Sequence, residues 1–187
     1  IGKQDQYIAA YGGLKRIKFN PDESVFVDPL VFLPDTKQKL QQNMLLFYTG
    51  ITRSADNILE EQTSNTENST EKRDTLQKLV SIALDMQSAL IANDLSSFGE
   101  LLHQGWLAKK QMASGISNSV IDEWYTTARQ HGALGGKITG AGGGGFLMLY
   151  APSSKHAHIR NALHDLAPVN FQFEPQGSKI IYVEESS

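Results

Sequence analysis

The sequence predicts an α+β fold, an antiparallel sheet with helices packed on one face. Three observations carry that prediction. Between residues 71 and 131 apolar side chains recur at helical spacing in three successive stretches. Behind this helical block the chain reads strand, helix, strand, strand, an order suited to a layered sheet-and-helix sandwich. Near the start, two short strand-like runs flank Asn20-Pro21-Asp22-Glu23, a good hairpin turn.

Taken in order, residues 4–11 read as a short helix, followed by strands Leu14 to Phe19 and Val25 to Val27. Pro29 and Pro34 punctuate an irregular crossing. Lys37 to Gln42 reads as a short helix, and Met44 to Thr49 as an apolar strand ending at Gly50. A helix restarts over 54–62, with Thr52 or Ser54 as its cap. The polar stretch 63–70 reads as an exposed loop. The long helix 71–92 carries the stripe Leu76, Leu79, Val80, Ala83, Met86 and Leu90, expected to be core. Asn93-Asp94 breaks it. Helices over 95–112 and 118–131 follow, the second ending before Gly132. A strand at 146–150, a helix from Ser153 to Leu166, and strands at Val169 to Phe173 and Lys179 to Val183 complete the chain.

Bulk properties bound the function. The 187 residues are enough for one domain with a good core, or a domain with an appendage. A net charge of −3 gives no general attraction to nucleic acid or to acidic membranes. With no cysteine, a disulfide, a thiolate zinc site and a cysteine nucleophile are all excluded. No apolar run approaches the length of a membrane span. A cytoplasmic location is the expectation. The first residue is Ile1, with no charged-then-apolar leader behind it, so the chain reads as starting inside a longer protein.

The feature that points to chemistry is the run Gly135 to Gly145, which holds seven glycines together with Lys137 and Thr139. Bare backbone can approach an anion closely, and successive N–H groups can form a concave nest around phosphate. A mobile turn between two regular elements explains the same composition. The embedded Gly140-x-Gly142-x-x-Gly145 reads as lying between a helix and a strand, the reverse of the dinucleotide-binding order. Protein-kinase companions are missing as well: there is no Asp-Phe-Gly, and His164-Asp165-Leu166 lacks the Arg and the trailing Asn. A Walker A loop fails at Ile138. Near the start, Lys3 beside Asp5 reads on residue chemistry first as a helix cap at Asp5 with a solvated lysine, and alternatively as a general base with an electrostatic partner.

Taken together, Gly-x-x-Asp-Gln-Tyr at 2–7 and Lys-Ile-Thr-Gly-Ala-Gly-Gly-Gly-Gly-Phe at 137–146 resemble the GHMP family of small-molecule kinases. Gly2 to Gly13 with Phe47 to Ala55 is similar to the heptose 7-phosphate kinases within it. The resemblance implies the ferredoxin-like α/β sandwich of the family's C-terminal domain over 31–187, with 1–30 as the tail of the preceding domain. It implies an ATP-dependent kinase acting with Mg²⁺ on the anomeric hydroxyl of a sugar phosphate, without nucleic acid or membrane partners.

By the same resemblance Asp5 is the base or orienter for the substrate hydroxyl. Lys3, Gln6, Tyr7, Gly12 and Gly13 lie on the sugar side. Gly140, Ala141, Gly142, Gly143, Gly144 and Gly145 are the loop near the nucleotide phosphates, flanked by Lys137 and Thr139. Arg53 suits the sugar's phosphate, because a guanidinium fork matches that geometry; capping or surface exposure suits it as well. The family's Gly-Ser-Ser phosphate loop and its Mg²⁺ ligand have no counterpart here, so a C-terminal half with little activity of its own is expected, and no metal ligand in this chain. A fucose- or galactose-type kinase and a non-catalytic α+β ligand-binding domain are the alternatives.

Overall fold

The computed structural model describes residues 3–52 and 55–182. They fall into two compact units, residues 32–171 and residues 3–31 with 172–182.

In the smaller unit, helix α1 (Lys3–Tyr11) is followed by strands β1 (Lys15–Phe19) and β2 (Val25–Pro29). The strands pair antiparallel with Ile17 opposite Val27. Their turn is closed by Glu23 N donating to Asn20 O at 3.0 Å and by the Asp22 carboxylate accepting from Ser24 N and Oγ at 3.1 and 2.6 Å. Those two bonds hold the Asp22 carboxyl below its ordinary range. At the end of α1, Gly12 takes φ +61° and donates to Ile8 O at 2.8 Å. Segment 174–177 crosses here so closely that a Cβ on Gly12 would lie 2.3 Å from Gln176 C. No residue of α1 is buried.

In the larger unit, helices α2 (Pro34–Gln42), α3 (Ala55–Asn68), α4 (Thr70–Ile91), α5 (Leu95–Lys110), α6 (Ser119–Gln130) and α7 (His156–Ala162) surround strands β3 (Met44–Tyr48), β4 (Gly135–Ile138), β5 (Phe146–Tyr150) and β6 (Ala167–Pro168). The sheet order is β4-β5-β3-β6, antiparallel at every pairing, with Phe47 opposite Leu147 and Ile138 opposite the same residue. Strand alternation puts Leu45, Phe47, Ile138, Leu147 and Leu149 into one core with Ile121, Tyr125 and Ala128 of α6, Trp106 of α5 and Ile159 of α7. This is the expected α+β architecture.

The helix starts carry the caps that hydrogen-bonding chemistry asks for. Ser69 Oγ accepts from Lys72 N at 3.3 Å, Asp94 Oδ1 from Ser97 N at 3.0 Å, and Asn118 Oδ1 from Ile121 N at 3.0 Å. Helix α2 begins three residues before the expected start, at Pro34, since proline is tolerated in a helix's first turn.

Several expectations are corrected. Stretch 63–70 is not a loop: α3 runs to Asn68, and Ser69 serves only to cap α4. Its polar side chains bond back to their own helix, Thr63 Oγ1 to Leu59 O at 2.9 Å, Thr66 Oγ1 to Gln62 O at 2.8 Å and Asn68 Nδ2 to Ser64 O at 2.8 Å. Arg73 holds the last carbonyls by donating to Glu67 O at 2.9 Å. The α4 stripe is not core throughout. Leu76, Val80 and Ala83 are exposed, whereas Ile82, Ala89 and Leu90 are buried.

The C-terminal elements are shorter than read. A 3₁₀ turn at Ser153–Lys155 leads into α7, which stops at Ala162. Neither Val169 to Phe173 nor the described part of Lys179 to Val183 is a strand. Pairing with β3 is confined to Ala167–Pro168 plus one bond from Val169 N to Leu46 O at 2.8 Å. An alternating pattern makes a strand only beside a neighbouring ladder, and none of the described residues pairs with 179–182. Val183 lies outside the described residues.

Candidate functional site

Strand β4 begins on glycines because α5 presses on them. A Cβ at Gly135 would lie 2.1 Å from Gly99 O and 2.7 Å from His103 N, so no side chain fits. The glycine run is therefore not one loop between a helix and a strand. Its first part is strand, and the turn is 139–145, joining β4 to β5 as a hairpin.

That turn is fastened at both ends. Thr139 N donates to Phe146 O at 2.9 Å. Gly145 O accepts from Thr49 N and from Thr49 Oγ1, each at 2.9 Å, just past the end of β3. Inside the turn, Gly143 N donates to Ile116 O and Gly145 N to Ile51 O, both at 2.8 Å. A Cβ at Gly142 would lie 2.8 Å from Ile116 O, and one at Gly144 would lie 2.3 Å from Ile51 O. Close approach of backbone to backbone thus accounts for these glycines. Two amides that a phosphate nest would use point at the protein's own carbonyls. The turn is a rigid wall, not a closed cradle.

The other candidates divide by unit. Lys3, Asp5 and Gln6 lie exposed in the first turn and a half of α1. Asp5 is the third residue of that helix and so is not its cap. A carboxylate in the first turn is favoured by the helix dipole. Tyr7 is held between rings, stacked on Tyr11 at a 6.4 Å centroid separation and edge-on to Phe19 at 5.5 Å. Gly12 and Gly13 line an open cavity of about 310 Å³ with Ile8, Ala9, Gln172, Phe173, Glu174 and Gln176. Arg53 lies outside the described residues.

Lys137 stands in β4 opposite Met148. It lines a cavity of about 210 Å³ formed with Leu79, Ile82, Ala83 and Met86 of α4 and Leu102, Gly105, Trp106 and Lys109 of α5. Among the described residues no three His, Asp or Glu side chains are placed to hold a metal ion, and no helix is long and apolar enough to cross a membrane.

The residues that sequence reasoning missed are Thr49, Ile51 and Ile116. Two of them act through main-chain carbonyls, which leave no trace in side-chain identity. Only Thr49, a hydroxyl closing an apolar strand, carries a legible signal.

An antiparallel four-stranded sheet with helices packed against it, and a glycine turn at one hairpin, defines an α+β domain. The match to known proteins is specific. Residues 86–168 match the model of the GHMP kinases C-terminal domain, and the chain carries that family's C-terminal fold. It is 29% identical over 180 residues to a D-glycero-α-D-manno-heptose 7-phosphate kinase of Campylobacter jejuni, covering 95% of this chain and 53% of that one. It is 36% identical over 174 residues to an L-fucokinase/L-fucose-1-P guanylyltransferase of Bacteroides fragilis, covering 89% of this chain and 18% of that one. The crystal structure of a D-glycero-D-manno-heptose 1-phosphate kinase from Bacteroides thetaiotaomicron superposes with a TM-score of 0.65 at 26% identity, over 97% of this chain and 50% of that one. The chain thus spans about half the length of the heptose kinase of Campylobacter jejuni, and less of the bifunctional fucokinase.

Proposed function

We propose that this chain is the substrate-side, C-terminal part of an ATP-dependent sugar kinase. The whole enzyme transfers the γ-phosphoryl group to the anomeric hydroxyl of a sugar phosphate, D-glycero-D-manno-heptose 7-phosphate, in the cytoplasm. The observation that carries this reading is the anchored glycine turn 139–145 in a chain similar over 95% of its length to a heptose 7-phosphate kinase. Phosphoryl transfer depends on positioning and on stabilising charge, and a turn fixed at both ends is a positioning device.

In this reading residues 1–30 are the tail of the preceding domain and 31–187 the C-terminal domain. Asp5 accepts or orients the hydroxyl proton, with Lys3, Gln6, Tyr7, Gly12 and Gly13 on the sugar side. Arg53 takes the sugar's own phosphate. Lys137 and Thr139 flank a turn in which Gly140, Ala141, Gly142, Gly143, Gly144 and Gly145 form one wall beside the nucleotide phosphates. Mg²⁺ supplies charge neutralisation when bound, and its ligands come from ATP and from the other half of the enzyme.

The test is turnover of the full-length enzyme with Asp5→Asn. Turnover should fall at least a hundredfold while ATP affinity changes little, as expected for loss of general-base catalysis. Near-normal turnover would sink the assignment of Asp5. The 36% identity to a fucokinase favours one second reading, a kinase of a free sugar. Comparing heptose 7-phosphate with L-fucose and galactose decides between them, and Arg53→Ala should impair only a phosphosugar enzyme.

A further inference from the structure

The glycine turn is fastened to a segment that holds its own shape poorly. Residues 111–118 join α5 to α6 and contain a 3₁₀ turn, Ser114–Ile116, whose last carbonyl accepts from Gly143 N at 2.8 Å. The bond from Ile116 N to Ala113 O is stretched to 3.5 Å, and Ala113, at the cap position, has no side-chain oxygen to offer. The missing cap comes from α3, more than fifty residues earlier. Glu61 Oε1 accepts from Ser114 N at 2.7 Å, and Glu61 Oε2 accepts from Ser114 Oγ at 3.0 Å. Those two bonds hold the Glu61 carboxyl below its ordinary range, so at neutral pH it is a charged acceptor.

Helix α3 grips the same segment twice more. Asn65 Nδ2 donates to Met112 O at 2.9 Å, and Ile58 packs so that a Cβ on Gly115 would lie 3.1 Å from its Cγ1. At the far end Ser117 Oγ donates to Asp122 Oδ1 at 2.8 Å. The buried side chains of Met112 and Ile116 fix where the segment lies. The direction of the Ile116 carbonyl is a separate matter, set by peptide planes that the polar bonds at 114 and 117 hold. Support therefore passes from Glu61 to Ser114, and from Ile116 to Gly143. We infer that Glu61 is a positioning residue for phosphoryl transfer, setting the place of the glycine turn beside the nucleotide phosphates through Ser114 and Ile116. The ligand in this inference rests on the sugar-kinase reading, whereas the path of support does not. Displacing a positioning group by about 1 Å can cost about a hundredfold in rate.

Amide exchange in this chain and kinetics of the full-length enzyme test it together. Glu61→Ala should speed exchange at Gly143 about tenfold, as local opening becomes easier, and leave Gly145 unchanged, since Ile51 O holds that amide. In the full-length enzyme the same variant should lower kcat about tenfold and raise KM for ATP about fivefold, with KM for the sugar unmoved. A loss of folded enzyme alone would lower the rate without moving KM. Glu61→Gln keeps an acceptor for Ser114 N and a group that can donate to Ser114 Oγ, so it should bring both readouts back to within about twofold of the parent. Glu61→Asp, shorter by one methylene, should not. If circular dichroism shows Glu61→Ala to be unfolded, Glu61→Asp takes its place. Exchange at Gly143 that is unchanged, or that rises equally at Gly145, overturns the inference, and so does an unmoved KM for ATP in an active enzyme. A parent enzyme that phosphorylates no sugar would count against the kinase reading instead, and exchange at Gly143 would still decide the path of support.

Discussion

Gly144 lies against Ile51 so closely that a Cβ on it would come within 2.3 Å of the Ile51 carbonyl oxygen. At Gly140, in the same turn, nothing stands within 4 Å of an added Cβ, and the obstacle is only its φ of +73°. The two glycines thus have different physical reasons, and alanine should separate them. Gly144→Ala must push backbone away from backbone and should destabilise the chain by about 2–3 kcal/mol, the range of overpacking. Gly140→Ala should cost only about 1 kcal/mol, from the backbone strain it imposes. Urea unfolding of both variants measures the difference. Equal losses would show that the turn yields as a unit.

Thr49 ties the end of β3 to the glycine turn. Its hydroxyl donates to Gly145 O at 2.9 Å and accepts from Ile51 N at 3.3 Å, and the residue is 8% exposed. Thr49→Val keeps the shape and removes both bonds, so about 1–2 kcal/mol of stability should be lost. Thr49→Ser should retain most of it. Amide exchange at Gly145 and Thr49 should speed up in the valine variant and stay slow in the serine variant.

What the sequence made legible follows from how local each cause is. The helix break at Asn93-Asp94, the hairpin turn at 20–23 and the strands β3 and β5 are set by neighbours a few positions away, and they were readable. Stretch 63–70 was not, because Thr63, Thr66 and Asn68 look like loop formers until their bonds to carbonyls four residues back are seen. Gly135 read as loop because its reason sits on α5, more than thirty residues earlier. Of the candidate site, the turn itself was legible, whereas its fastening to Ile116 and Ile51 was not, since carbonyl acceptors belong to every residue.

His103 and Tyr125 make a pH-sensitive contact between α5 and α6. Their rings stack at 5.8 Å and Nδ1 lies 2.8 Å from the tyrosine hydroxyl. Burial pushes the Tyr125 hydroxyl well above its ordinary range, so it remains a donor and the imidazole nitrogen accepts. Burial, then Arg129 and Lys110, hold the imidazole below its ordinary value, against an opposing pull from Glu100. A group whose folded value is depressed stabilises the fold above its unfolded value and loses that contribution as pH falls through the folded one. Stability should therefore decline as pH drops below about 6.5, the ordinary histidine value. His103→Gln should flatten the thermal midpoint between pH 7 and pH 5 relative to the parent. An unchanged slope would place the sensitivity elsewhere.

The buried side of α4 was misassigned from its stripe, and the correction has a direct energetic consequence. Ile82 is 6% exposed and Val80 is 56% exposed, although both sit in one helix two residues apart. Such neighbours point about 200° apart around a helix, so only one of them can face α5. Removing buried methyl groups loses transfer free energy and leaves a cavity, and Ile82→Ala should destabilise the chain by about 2–4 kcal/mol. Val80→Ala removes groups already in water and should change stability by less than about 0.5 kcal/mol. Chemical denaturation of the two variants reads this contrast. Comparable losses at both positions would mean that a further surface covers the outer face of α4 in solution.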